Sequence, residues 1–519
     1  MIGAIGHVIR LMHSGWVLAR EGVFTDVDPM LVPPAARLPL MAAKLLARRG
    51  SGRAGGLSKA MARLGPSYIK LGQFLATRPD VVGVNAAKEL EELQDRVAPF
   101  PREQAIRTVE RSLGAPIDTL FASFSEPIAA ASVAQVHRAV LKGDGEGRSV
   151  AVKVLRPGVE RMFRRDLADM FFAARMAERY SAEARRLRLI DVVETLARSV
   201  KMEMDFRLEA AAASEYAENT REDPDFRVPS VLWDFTSREV LALEWVEGLH
   251  LSDPAALARA GHDLPRVGRI VIQSFLEHAV RDGFFHADMH QGNLFVDPEG
   301  KLVAVDFGIM GRLGPKERRF LAEILYGFIT RNYTRVAEVH FEAGYVPDTY
   351  RVDDFAQAIR AIGEPIHSRT ADQISMAKLL SLLFEITALF EMRTRTELVM
   401  LQKTMVVVEG VARSLDPRMN IWSAAEPVIS AWIRDRLGPA GVASEAAKGL
   451  FSVGRLLGHA PELLQLGERT ARDLSAIAHE GVRIAPQSVR EISQSRESRG
   501  SRMALWAIAL LLLLNLVLN

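Results

Sequence analysis

The run GFFHADMHQGNLFV, from Gly283 to Val296, followed after one turn by LVAVDFG at 302–308, constrains this chain more than any other feature. The β-like runs NLFV and LVAVDF flank the turn DPEGK and read as a hairpin. Asp288 and Asn293 therefore precede a hairpin and Asp306 follows it. Phosphoryl transfer needs cations that bridge phosphate oxygens; Asn293 and Asp306 supply hard oxygen ligands for Mg²⁺, and Asp288 can accept or orient the proton of an attacking hydroxyl. A transition-metal site built on His286, Asp288 and His290 is the competing reading. It leaves Asn293 and Asp306 unexplained, and a histidine in such a loop more often orders the backbone.

His-x-Asp-x4-Asn with a downstream Asp-Phe-Gly has the spacing of a kinase catalytic loop and metal loop, and the combination is far more specific than either half. Upstream, Val150-Ala151-Val152-Lys153 reads as a strand whose lysine meets nucleotide phosphates and a helix acid. The helix-forming stretch KMEMDFRLEAAAASEY offers Glu203, Asp205 and Glu209, and Glu203 and Asp205 cannot share one direction. Between the first two strands, where a glycine-rich loop would cover phosphates, stand Ala129, Ala130, Ala131, Ser132, Val133 and Ala134. Alanine restricts φ where glycine does not, so this loop is expected to be stiff and to place phosphates differently. By position, backbone groups from Glu244 to Val246 are expected to meet adenine, with Val152 as an apolar wall.

The order of elements predicts an α+β, bilobal, protein-kinase-like fold. Residues 1–60 read as a helical and linker segment, with a Pro/Arg/Gly-rich connection from 30 to 60, and 61–125 as a helical extension. The smaller lobe spans 126–248: strands IAAASVAQVHRAVL and SVAVKVLR, helices from about 160 to 219, then VPSVLWDF and REVLALEWV as further strands. The larger lobe spans 249–400, and a helical C-terminal extension 401–500.

With 519 residues, more than one folding unit is expected. The 66 Lys and Arg against 64 Asp and Glu give a net charge of +2, so no global field favours nucleic acid as a partner. No cysteine means no disulfide and no thiolate nucleophile. Residues 1–24 read as a helix with one apolar face, able to pack on the protein or to lie on a membrane, packing being the safer reading. From 503 to 518, MALWAIALLLLLNLVL carries no charge and reads as a C-terminal transmembrane anchor. Arg496, Arg499 and Arg502 before it place the preceding domain on the cytoplasmic side of an inner membrane.

One further motif identifies a family resemblance: Lys70-Leu71-Gly72-Gln73 in GPSYIKLGQFLATRPDVV. With ELQDRVAPFP, AAASVAQVH, VAVKV, the Glu-x-Asp at 203–205, HADMHQGN and DFG, it resembles the UbiB atypical kinase-like proteins, called coenzyme Q accessory proteins in mitochondria, over roughly residues 60–315. The resemblance implies a KxGQ segment folded over the cleft. Lys70 and Gln73 then reach the active site, Asp205 partners Lys70, and Glu203 pairs with Lys153. It further implies ATP and Mg²⁺ as cofactors, ATPase behaviour, and a role in ubiquinone biosynthesis. The implied partners are membrane lipids and isoprenoid-quinone intermediates, with other enzymes of that pathway and a homodimer compatible. Family members commonly carry two C-terminal transmembrane helices, where one segment is read here. A phosphotransferase acting on a small molecule or protein is the alternative, and a nucleotide-binding scaffold conflicts with an intact Lys153, Asp288, Asn293 and Asp306.

Overall fold

The computed structural model describes residues 2–437 except 26–33, 48–54, 77, 92, 94–96, 144–146, 368–384, 387–388 and 393–395. Four strands form the smaller lobe's sheet: β1 (Phe121–Ala130), β2 (Ala134–Leu141), β3 (Ser149–Leu155), and, after a helical insertion and the short β4 (Phe226–Arg227), β5 (Val240–Glu244). They pair antiparallel in the order β1-β2-β3-β5. Along β3, Val150, Val152 and Val154 point into a core with Phe121, Phe124 and Val109 and are fully buried. Each contributes about 2 kcal/mol relative to exposure. The period of two turns Ala151, Lys153 and Leu155 to the opposite face, toward the helices.

The larger lobe adds β6 (Leu249–His250), β7 (Phe284–His286), β8 (Leu294–Val296), β9 (Leu302–Ala304) and β10 (Met310–Arg312). They form a β4-β9-β8-β6 sheet and a β10-β7 pair. The expected hairpin is β8–β9, paired from Leu294↔Ala304 to Val296↔Leu302. Behind it lie the helices Leu264–Glu277, Thr396–Leu415 and Ile421–Leu437, which share the largest apolar core. The kinase-like α+β architecture and its helical extension are thus both present.

Two readings are corrected. VPSVLWDF is no strand: Val231 makes a single bridge to Leu243 and Trp233–Phe235 forms a 3-10 turn. Its pairing with β5 stops at two backbone bonds, Leu232 N–H to Ala242 O and Glu244 N–H to Ser230 O (2.9 Å each), while Ser230 Oγ and N–H donate to the Glu244 carboxylate. The stretch 30–60 is likewise more than a connection, because a helix, Pro34–Leu46, lies within it, with proline at its first position where no N–H is missed. The N-terminal helix Ile2–Arg20 packs as expected. Val17, Leu18 and Ala19 enter a core with Leu40, Met61 and Ile69, and Asp169 receives Arg10 (2.6 Å) and His7.

Among the described residues, no helix is long and apolar enough to cross a membrane. The segment read as an anchor, 503–518, lies outside them, as does 438–500 of the C-terminal extension.

Candidate active site

Lys153 sits on the cleft face of β3, where its ammonium donates to both Glu209 oxygens (2.8 and 3.0 Å) and to Asp306 Oδ1 (3.0 Å). The Phe206 ring centroid lies 5.5 Å from the same Nζ. Burial alone lowers the Lys153 pKa, but Asp306 and Glu209 outweigh it and hold the ammonium charged. Lys153 in turn keeps the Asp306 carboxyl well below the usual range. Burial pushes Glu209 upward against the pull of Lys153.

The expected pairing of acids is therefore corrected. Helix Leu189–Glu203 ends at Glu203, and Asp205 starts a second helix, Phe206–Asn219, by accepting from Arg207 N–H (3.2 Å). The stretch read as one helix is two, joined at a corner. Asp205 is held by the Arg207 guanidinium (2.9 and 2.7 Å). Glu203, at the corner, takes Lys70 instead (2.8 Å). Glu209, inside the second helix, is the residue that reaches Lys153. The sequence offered it beside the other two, and only the corner distinguishes them.

Lys70 lies on the helix Pro66–Ala76, whose Tyr68, Leu71 and Phe74 bridge two apolar cores. Gly72 permits this packing, since a Cβ there would stand 3.2 Å from Leu90 Cδ2. Lys70 is near enough to the metal loop for its charge to add to the lowering of Asp306. Gln73 is half-buried on the same helix.

The alanine loop is the β1–β2 turn, closed by Ala131 N–H to Ala134 O (2.8 Å). Arg156 donates to Ala131 O (3.2 Å) and to Ala98 O (3.0 Å), with Phe100 under its guanidinium at 5.2 Å. Gln135 clasps both backbone groups of Phe100 (2.9 and 3.2 Å). The turn is thus pinned to the strap at 98–100, and no alanine in it takes a positive φ. Val133 is buried among the helices.

Val152 is corrected as an adenine wall. It lies in the core on the far face of β3, and Ala151 shares the cleft face with Lys153. In the connecting run, Glu244 N–H goes to Ser230 O (2.9 Å) and Trp245 N–H to Ser149 O (3.3 Å), which leaves Val246 to offer a donor.

In the catalytic loop His286 is fully buried and orders the backbone. Its Nδ1 accepts from Asp288 N–H (3.1 Å) while Nε2–H donates to Val305 O (3.1 Å), so burial, which lowers its pKa, finds a neutral ring already satisfied. Both nitrogens are engaged, which removes it as a metal ligand. Asn293 Nδ2 donates to Asp288 O (3.1 Å), and His290 Nε2 is 3.7 Å from the partly exposed Asp288 carboxylate. Asp306 has φ +64°, a conformation that costs a non-glycine residue about 1 kcal/mol and marks functional loops.

Sequence reasoning missed two supports. Thr404, fully buried on helix Thr396–Leu415, shares its hydroxyl between Met400 O (2.9 Å) and Ala287 O (3.0 Å), the carbonyl just before Asp288. Ser414, on the same helix, accepts from Gln291 (2.8 Å). In the second support, buried Tyr216 contacts His278 Nδ1 (2.6 Å) and packs on Phe307. His278 Nε2 lies 2.8 Å from Asp223, and Glu215 binds Arg312 at 2.5 Å. These partners are far apart in sequence and leave no local pattern.

Two family descriptions match the chain: an ABC1 atypical kinase-like domain over residues 92–340 and a UbiB helical domain over 359–420. Relatives named "Probable protein kinase UbiB" match along most of its length. The protein of Marinobacter nauticus is 39% identical over 464 residues, 88% of this chain and 84% of that one. That of Azotobacter vinelandii is 41% identical over 430 residues, 82% and 78% of the two chains. That of Pseudomonas paraeruginosa is 41% identical over 388 residues, 74% and 72%.

Proposed function

The chain belongs to the UbiB family of atypical kinase-like proteins, and from that premise we propose that it binds Mg-ATP, hydrolyses it, and uses the turnover to support ubiquinone biosynthesis at the inner membrane. The observation that carries this reading is Lys153 bridging Glu209 and Asp306 while Lys70 is held against Glu203 at the edge of the same cleft.

Asn293 and Asp306 offer hard oxygens, one of them ionised, and this donor set fits Mg²⁺. The cation neutralises charge across the phosphates when bound. Lys153 pairs with phosphate oxygens, Ala151 and Val246 border the adenine, and the Ala129–Ala131 turn covers the phosphates. Lys70 and Gln73 restrict access from the side a protein acceptor would take. Isoprenoid-quinone precursors are the hydrophobic cargo, membrane lipids the setting, and 503–518 the anchor. Other enzymes of the pathway and a second copy of the chain are the proposed partners. A phosphotransfer reading is favoured by one observation: Asp288 keeps a partly exposed carboxylate on a backbone fixed by His286, fit to receive a hydroxyl proton.

ATP hydrolysis measured with and without anionic liposomes and quinone-precursor mimics tests the reading. Stimulation of severalfold is expected. No turnover in any condition overturns the ATPase, and phosphate recovered on an acceptor selects phosphotransfer. A chain ending at residue 500 should be released from membranes by carbonate; retention places another inserting segment in the protein.

A further inference from the structure

The N-terminal helix Ile2–Arg20 and the helix Pro34–Leu46 pack together through Leu40, Val17 and Leu18, yet each also turns an apolar stripe outward. On the first, Ile9, Met12 and Trp16 follow one another at spacings of three and four and are 42–57% exposed. On the second, Leu38, Met41 and Leu45 repeat the pattern, with Leu46 beside them, at 50–86% exposed. These seven are half of the large apolar side chains that the described residues expose. Scattered apolar residues need no explanation, but two exposed stripes on adjoining helices do.

Charge narrows the occupant. Neither helix contains an Asp or Glu, in a chain where acids and bases are otherwise nearly equal in number. Arg20, Arg37 and Lys44 stand beside the stripes, and the Arg20 guanidinium lies 4.9 Å from the Trp16 ring, an aromatic–cation pairing suited to a membrane interface. A protein partner of ordinary composition has no call for two acid-free helices carrying such stripes, whereas an anionic lipid surface does. We propose that the faces of these two helices lie in the interface of an anionic bilayer, as a peripheral contact separate from any spanning segment. The stripes insert shallowly among acyl chains and the bases remain at the headgroups. The inference rests on this surface and not on the nucleotide chemistry of the cleft.

The absence of cysteine from the whole chain supplies the test. The full chain carrying Met12→Cys or Leu45→Cys, labelled with an environment-sensitive fluorophore, is reconstituted in vesicles of phosphatidylcholine alone or with phosphatidylglycerol. Trp233→Cys, at an exposed residue of the smaller lobe, is the control for the segment-independent effect of holding the chain near a bilayer. Spin-labelled lipids should quench the first two labels about fivefold more than the control, only in phosphatidylglycerol vesicles, and a Lys44→Glu change should reduce that quenching. Labels that stay aqueous overturn the proposal. So does equal quenching in neutral vesicles, and so does concentration-dependent burial of the labels without lipid, which would assign the face to a second copy of the chain.

Discussion

The floor and the roof of the cleft are built on different rules. The floor, from Lys153 through Glu209 to Asp288, Asn293 and Asp306, places charges where phosphoryl-transfer chemistry in general requires them. The roof replaces a mobile glycine loop with a short alanine turn riveted by Arg156 and Gln135, and adds a helix that brings a second lysine, Lys70, to the rim. In the floor Lys153 and Glu209 are largely buried and, with Asp306, mutually compensated, while the Asp288 and Asp306 carboxylates stay open to the cleft; the roof's strength lies in backbone bonds and packing. The contrast teaches that the two sides of one cleft are held by different means, charge pairing below and a pinned backbone turn with a packed helix above.

The largest effect should come from the floor. Glu209→Gln removes one half of a buried ion pair and should cost about 3 kcal/mol of stability, with loss of Mg-ATP affinity, by thermal unfolding and calorimetry of the detergent-solubilised chain. Glu203→Gln removes the acceptor of an equally occluded lysine but leaves Lys153 and Asp306 paired, and should cost less, about 1.5 kcal/mol. Equal losses in the two variants would erase the distinction between floor and roof. Asp306→Asn, which keeps the shape but not the charge, should weaken Mg-ATP about a hundredfold, corresponding to roughly 3 kcal/mol.

At the roof, Lys70→Ala should raise autophosphorylation about tenfold while abolishing support of ubiquinone synthesis, read from labelled phosphate and cellular quinone content together. Glu203→Gln, by weakening the ion pair that holds Lys70, should move both readouts the same way to a lesser degree. Normal quinone levels in Lys70→Ala would show that the roof does no more than cover. Thr404→Val touches neither roof nor nucleotide. It removes the hydroxyl bond to Ala287 and should lower turnover about fivefold, about 1 kcal/mol, at unchanged Mg-ATP affinity, with Thr404→Ser restoring it. The smallest change belongs to Ala130→Gly, which should shift nucleotide affinity by about twofold, because Arg156 and the strap still pin the turn.

Much of the floor was legible because its chemistry demands fixed residue types at fixed spacings: Asp288, Asn293 and Asp306 announce themselves around a hairpin. Partner choice was not. Glu203, Asp205 and Glu209 lie within seven positions in one helix-forming stretch, and a single corner at Met204 decides which lysine each meets. Val152 was misplaced although its facing follows from strand alternation once Lys153 is set in the cleft. Thr404 and Tyr216 were invisible, since a threonine and a tyrosine in helices carry no signal until the chain brings Ala287 and His278 beside them.

The helix Phe206–Asn219 holds Lys153 in the smaller lobe through Glu209, and in the larger lobe grips His278 through Tyr216 and Arg312 through Glu215. The helix thereby ties the two lobes to each other. Its amides should therefore exchange with solvent only as slowly as the two lobes come apart. The chain's tolerance of substitution should accordingly be low along this helix, at Glu209 and Tyr216 above all.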